Sequence, residues 1–585
     1  MGDYLLVCPL SPTEHDPPLS AELAASARRA GMTVAAIGPD AWFASCGPHP
    51  PRMTQVSNWM LIGDVLDRRS PSLPACAPSD PYAYEKKLMA RFWGRYAGIQ
   101  FGHRFRPLAL LRDPSGAMEC VTWTQGCLLI VASTAFDWLM KQLRPPWSIH
   151  RDRLAQALQD PLAGVDALLL DGPIALSPGS LQPLPQETPP VAIWSPHRIA
   201  RSSLEAWPTS DEASEHLRSA VDEAISGLAG LSGPIAAEIS GGLDSSIIAA
   251  GLVRHDAAAV RLWLNAYGET PESDERPYVQ ALAARLGLDP VSVPHLQASM
   301  TSEGFRSISS DFRPGLNALD QAHQLDWASR IREVGALGLM TGRGGDTILL
   351  QNATADVFCD HWQARGWRTL LSGDARELAA ANETSLWTLV SQARKRSRRS
   401  HPLPRRALTI LQSADAATSR HPWLCDWDDF GPAKALQIAG LLDSVSRHHP
   451  SALSGAVDVR NPLCALPVVE ACLSLPAPVL TCGGRERGLA RRTFQDRLPL
   501  EIINRRSKGD LTQSYGRLVA DNLAFLRPWL MQGRLAALGL VDVEAADCAL
   551  RREALLWRGG YGALIVLAAF EGWVRRWEDR LGPTP

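Results

Sequence analysis

The chain has 585 residues, 45% hydrophobic and 21% charged, with 59 basic and 61 acidic side chains and a formal net charge of −2. That balance excludes a disordered, collagen-like or coiled-coil chain, and at roughly 150 residues per domain the length allows two to four domains. Near-neutrality gives no electrostatic case for nucleic acid as the main partner.

Residues 1–200 read as short strands joined by turns. Tyr4–Cys8, Met32–Ile37, Ala97–Phe101, Leu108–Arg112, Met118–Thr122 and Leu128–Ser133 are predicted strands. Asp113-Pro114-Ser115-Gly116 predicts a turn between two of them. The proline-rich stretches Pro71–Pro81 and Leu176–Pro190 read as loops, and a domain boundary is expected near residue 200.

From residue 210 the period changes. Glu212–Ala229 places Leu217, Val221, Ile225 and Leu228 on one helical face. Pro234–Ser240 is predicted as a strand, Leu243–Val253 as a helix and Val260–Ala266 as a strand. Asp274 precedes a helix whose first turn holds Pro277, where proline is tolerated. Strand Val291–Val293, helix Ala322–Val334 and strand Leu337–Thr341 follow, and beyond ~375 the chain reads as helical. Strand–helix alternation predicts a parallel sheet with right-handed crossovers.

The eleven cysteines contain no CxxC pair. Cys8, Cys120, Cys127, Cys464 and Cys472 sit in apolar runs and are expected as buried free thiols in a reducing cytosol. Met1-Gly2-Asp3-Tyr4 lacks the basic segment of a signal peptide. Leu6 stands where a myristoylation motif needs Ser or Thr. The apolar runs near Leu128–Ala135 and Ala563–Phe570 are far below the ~20 residues of a membrane-spanning helix. A cytoplasmic protein without membrane partners is expected.

The strongest local signal is Ser240-Gly241-Gly242-Leu243-Asp244-Ser245-Ser246, between an apolar strand and an apolar helix. Two glycines permit close backbone approach, and small hydroxyls stand at a helix N-terminus whose free N–H groups favour an anion. A carboxylate beside a phosphate is repulsive, so Asp244 makes sense as a ligand to Mg²⁺ held between it and the phosphates. The bland alternative is an ordinary strand–turn–helix with a serine cap.

This string resembles the SGGxDSS signature of the PP-loop ATP pyrophosphatases, which cleave ATP between the α and β phosphates. Residues ~200–530 resemble the synthetase domain of the asparagine synthetase B-like family, and residues ~1–200 its N-terminal glutaminase-type domain. Leu111–Gly116 resembles the family's RDxxG turn, Val459-Arg460-Asn461-Pro462-Leu463 its RxPF region and Arg505-Arg506-Ser507-Lys508-Gly509 its RxK segment. The implied fold is an α+β, Ntn-type β-sandwich over residues 1–200, a degenerate class II glutamine amidotransferase-like domain. An α/β PP-loop synthetase domain with a helical C-terminal part over residues 205–585 follows it.

A second loop, Thr341-Gly342-Arg343-Gly344-Gly345-Asp346, follows a predicted strand, and Asp346 is positioned to offer the second carboxylate to Mg²⁺. The resemblance implies a metal ligand at Asp346, and ATP contacts from Ser240, Gly241, Gly242, Asp244, Ser245, Ser246, Thr341 and Gly342. It also implies that Lys508 stabilises the departing pyrophosphate.

Departures from the family pattern bear on the substrate. Glutamine-hydrolysing members need Cys directly after Met1; this chain has Gly2, so the N-terminal domain is expected to lack glutaminase chemistry. Arg343 replaces a family Glu and stays protonated. The base is then absent, the substrate itself, or Asp458, and an Arg343–Asp458 ion pair is the structural alternative.

The missing Cys, the GxGGD loop and the RRSKG segment together resemble the lasso-peptide macrolactam synthetases. That resemblance implies adenylation of an Asp or Glu side chain of a ribosomal precursor peptide. Attack by the peptide's N-terminal amine then forms an isopeptide bond, with AMP and pyrophosphate released. The implied partners are the precursor, a leader-binding protein and a maturation protease. Other readings are ammonia- or glutamine-dependent asparagine synthesis, a small-molecule lactam synthetase and a non-catalytic scaffold. Trp362–Trp367 and Trp423–Trp427 are candidates to line a peptide cavity, or else core. Arg394–Arg399, continuing to Arg405-Arg406, reads as a solvated loop or as a docking site for an acidic partner.

Overall fold

The computed structural model describes the chain except residues 12–15, 39, 70–78, 161–165, 206, 232, 269, 272, 298, 316–319, 397–410, 412–420, 426–428, 447, 449–450, 507–511, 559–560 and 583–585. The side chains of 443, 444, 446, 512–514 and 556–558 are likewise outside the described set.

Two six-stranded antiparallel sheets form the N-terminal part. One runs Ile174–Ala175, Val121–Gln125, Leu128–Ala132, Asp3–Pro9, Ala41–Cys46, Thr33–Gly38; the other Val191–Ala192, Ser180–Pro183, Pro107–Arg112, Phe92–Phe101, Trp59–Asp67, Met53–Val56. Strand alternation sorts the side chains of Asp3–Pro9 between two cores. Tyr4, Leu6 and Cys8 pack between the sheets with Ile62, Ala97, Ile99 and Leu110. Leu5 and Val7 face outward, against helix Pro17–Arg29 and the C-terminal helices.

Several elements depart from the sequence expectation. Helix Pro17–Arg29 falls between the predicted strands, where no element was expected; it begins with two prolines, and Asp16 caps it by accepting from the Leu19 N–H. Ala41–Cys46 is a strand buried over its first five residues, so it shows no period-2 signal. The expected loop Leu176–Pro190 contains strand Ser180–Pro183, which pairs with Pro107–Arg112. Much of Pro71–Pro81 lies outside the described residues.

The second half is built on a five-stranded parallel sheet in the order Pro290–Pro294, Val260–Tyr267, Ile235–Glu238, Gly338–Met340, Asp458–Arg460. Helix Ser210–Ala229 opens this half with a capping box of Thr209 and Glu212 and buries Leu217, Val221, Ile225 and Leu228. Strand order reverses between Ile235–Glu238 and Gly338–Met340, so the loops after these two strands leave in a shared crevice. In open parallel sheets that switch point is where ligands bind.

The C-terminal helix Tyr561–Leu581 returns to the first sheet. Trp577 lies 6.1 Å, ring to ring, from Trp147 and 6.3 Å from Phe312, in a core that also holds Leu5, Val7 and Trp123. The described cysteines are free thiols; Cys8, Cys120, Cys464 and Cys472 are buried and Cys127 is half-buried. Among the described residues no helix is long and apolar enough to cross a membrane.

Candidate active site

Strand Ile235–Glu238 carries the chain to the carboxyl edge of the sheet, and Ser240–Gly242 turns it into helix Leu243–Asp256. Gly241 has φ +67°, and a Cβ there would lie 2.7 Å from Tyr278 Cβ, so the turn requires glycine. The loop hydroxyls hold its shape. Ser245 Oγ accepts from the Ser240 N–H at 3.1 Å, and Ser246 Oγ donates to the Gly242 carbonyl at 2.7 Å.

The second loop is packed directly on the first. A Cβ on Gly342 would lie 2.5 Å from the Ser245 nitrogen, and one on Gly345 2.4 Å from the Asp244 carboxyl carbon. Glycine at both positions is what lets the acids come together. Arg487 Nη1 then bridges them, donating to Asp244 Oδ2 at 2.9 Å and to Asp346 Oδ1 at 2.8 Å. Two carboxylates sharing one guanidinium nitrogen form a pocket already shaped around positive charge, which a divalent cation would also satisfy. Among the described residues no group of three or more His, Cys, Asp or Glu could hold a metal. A cation here would therefore complete its shell with phosphate oxygens and water, as Mg²⁺ commonly does. Sequence reasoning passed over Arg487; its only signal was a charged triplet between glycines, Gly484-Arg485-Glu486-Arg487-Gly488.

Thr341 is buried and donates its hydroxyl to Asn461 Oδ1 at 2.6 Å, while its oxygen accepts from the Arg343 N–H. Its side chain therefore fixes the loop against the strand Asp458–Arg460. Arg505 donates to the Gly241 carbonyl at 3.0 Å and pairs with Glu275 at 2.6 Å, which ties the start of the RRSKG segment to the first loop. Lys508 itself lies outside the described residues.

Asp458 requires a correction. It is the first residue of its strand, in register with Gly338, and so sits at the end of the sheet away from the loops. It is fully buried and bound by Arg95, by Arg460 Nε at 2.8 Å and by the Met1 amine at 2.7 Å. Although burial opposes ionisation, Arg95 and the amine hold its carboxyl well below the usual range. A carboxylate so strongly held ionised is a poor proton acceptor, so the catalytic assignment of Asp458 gives way to a structural one. The alternative Arg343–Asp458 pair is not formed either: Arg343 lines the cavity beside the loops.

One cavity of about 500 Å³ is lined both by the loops, through Asp244, Arg343 and Asp346, and by the N-terminal part, through Met1, Gly2 and Glu119. At Gly2 a Cβ would lie 1.9 Å from the Cys46 carbonyl oxygen, so the position excludes any side chain. Among the described residues the tryptophan-rich segments do not line this cavity, and Trp427 lies outside the described set. Trp362 stacks near Phe358, Trp367 is exposed, and Trp423 is buried against Trp194. Arg394–Arg396 close helix Leu386–Arg396, with Arg396 paired to Asp356, and the rest of the basic run lies outside the described residues.

Two glycine loops meeting at a switch point, each contributing an acid, with a helix N-terminus after the first, define a nucleotide-binding site. The chain belongs to the asparagine synthase family, which matches residues 216–575, and is an ATP-dependent carbon–nitrogen ligase that forms AMP. No curated protein matches the chain.

Proposed function

We propose that this ligase closes a macrolactam in a ribosomal precursor peptide. It adenylates an Asp or Glu side chain and joins it to the peptide's own N-terminal amine. The observation that carries this reading is Gly2: the site has the loops of an amide-forming ligase, yet position 2 holds no thiol and no space for one. Glutamine-derived ammonia then has no source in this chain. The amine must arrive from elsewhere, and a cavity running from the loops to the N-terminal part suits a substrate larger than an amino acid. Residues 1–200 are read as a degenerate glutaminase-type domain that now walls the cavity.

In this reading Asp244 and Asp346 are the residues that would hold Mg²⁺, which would supply neutralisation of phosphate charge. Backbone N–H groups at the start of helix Leu243–Asp256 face the phosphates. Arg343 clamps a carboxylate or phosphate oxygen, and Lys508 stabilises the departing pyrophosphate. Ring closure is intramolecular, so holding amine and acyl group in contact contributes ~7–11 kcal/mol toward the barrier. A leader-binding protein and a maturation protease would deliver the peptide and free its amine.

Mass spectrometry tests the reading. The chain is incubated with ATP, Mg²⁺ and the peptide encoded beside its gene. Loss of one water per peptide, with AMP formed in step, is expected. Asparagine from aspartate and ammonia, with the peptide unchanged, would overturn it in favour of asparagine synthesis.

A further inference from the structure

A second cluster lines the same cavity beyond the loops. His295 follows the edge strand Pro290–Pro294, its N–H held by the Tyr267 carbonyl at 2.9 Å. Its ring stacks on His323 at 4.4 Å, and His323 lies 4.7 Å from Trp327 one turn along helix Gln321–Glu333. Asp320, the residue before that helix, faces His295 Nε2 at 3.7 Å and accepts from the Tyr515 hydroxyl at 2.8 Å. All five side chains line the cavity.

Three polar atoms of this cluster are buried without a hydrogen-bond partner: His295 Nδ1, His323 Nδ1 and Trp327 Nε1. The His323 and Trp327 residues are 9% and 5% exposed. Buried polar atoms are normally satisfied, so three orphans in one cavity wall point to a ligand that supplies both donors and acceptors. Five acids of the cavity, Asp244, Asp346, Glu119, Glu275 and Glu486, are held by arginines and are poor recipients for a proton, whereas Asp3, Glu238 and Asp311 also line it. In the tautomer that places the proton on Nε2, toward Asp320, the lone pair of His295 lies on Nδ1, the orphaned atom. Burial beside His295 pushes His323 down to about 4, so the stacked ring stays uncharged at neutral pH and does not repel a cation.

We propose that this pocket receives the attacking primary amine, with His295 as the catalytic residue that takes its proton and Asp320 and Tyr515 as positioning residues. The inference rests on the acyl-adenylate reading above. An ammonium group cannot attack. His295 removes its proton, the nitrogen lone pair forms the C–N bond, and the bond from the acyl carbon to the AMP oxygen breaks. AMP leaves with that electron pair, and the second amine proton passes to solvent.

The test separates the two half-reactions in full-length His295→Gln and Asp320→Asn. Carboxylate-dependent ATP–pyrophosphate exchange reports adenylation. Amide formation reports the second step. Hydroxylamine, uncharged at neutral pH, traps the acyl group without needing a base. The probes are the co-encoded peptide, and L-aspartate with ammonium. In His295→Gln, amide formation should fall about 100-fold relative to exchange, with hydroxamate still formed. In Asp320→Asn the same ratio should fall less. An unchanged ratio in His295→Gln, or hydroxamate and amide falling together, would overturn the subsite. Absence of exchange in the wild-type chain with either probe would instead overturn the adenylating reading, and the subsite with it.

Discussion

At the scale of single residues the site is governed by how charges are paired. Asp244 and Asp346 share Arg487, whereas Asp458 is enclosed by Arg95, Arg460 and an amine. These environments predict different failures. Asp244→Asn and Asp346→Asn should abolish turnover and leave the melting temperature within a few degrees of wild type; a turnover assay beside a thermal scan checks both. Asp458→Asn should destabilise the fold by about 3–5 kcal/mol, because it leaves buried guanidinium groups uncompensated; urea unfolding at pH 7 measures it. The pH sign follows. The Asp458 carboxyl is depressed in the fold, so its contribution is complete above its ordinary value near 3.8 and is lost as pH falls through the depressed one. Asp244 and Asp346 were legible in the sequence because they follow glycines in recognisable strings. Arg487 was not, since 141 positions separate it from Asp346 and only the fold brings them together.

At the scale of elements, the parallel half was read more fully than the sandwich. Strand Ile235–Glu238 and helix Leu243–Asp256 have glycine punctuation and distinct periods. Ala41–Cys46 and Trp59–Asp67 carry near-continuous burial and no alternation. The tight pairing of strand Asp3–Pro9 with Ala41–Cys46 also sets what position 2 tolerates. Gly2→Cys should lower stability by about 1–3 kcal/mol, as overpacking does, and should release no glutamate from glutamine. A melting curve and a glutamate assay decide the matter, and measurable glutamate release would show that the strand pair yields more than its geometry implies.

At the scale of the whole molecule, the C-terminal helices and the first sheet share one core. The halves should therefore unfold together, so far-UV circular dichroism and tryptophan fluorescence should give coincident transitions. The joint carries its own pH dependence. Asp311 lies there, its carbonyl accepting from the indoles of Trp573 and Trp577, and burial pushes its carboxyl up to about 7. A raised carboxyl favours the protonated fold, so its contribution is whole below about 4 and is lost as pH rises toward about 7. Melting temperature should fall over that range, and Asp311→Asn should flatten the slope.

The guanidinium lodged between Asp244 and Asp346 has a consequence for how the protein is handled. An acidic pair with an internal counter-ion does not depend on Mg²⁺ to relieve its repulsion. Exhaustive treatment with a chelator should halt turnover yet leave the melting curve where it was, and re-addition of the metal should restore activity without a refolding lag.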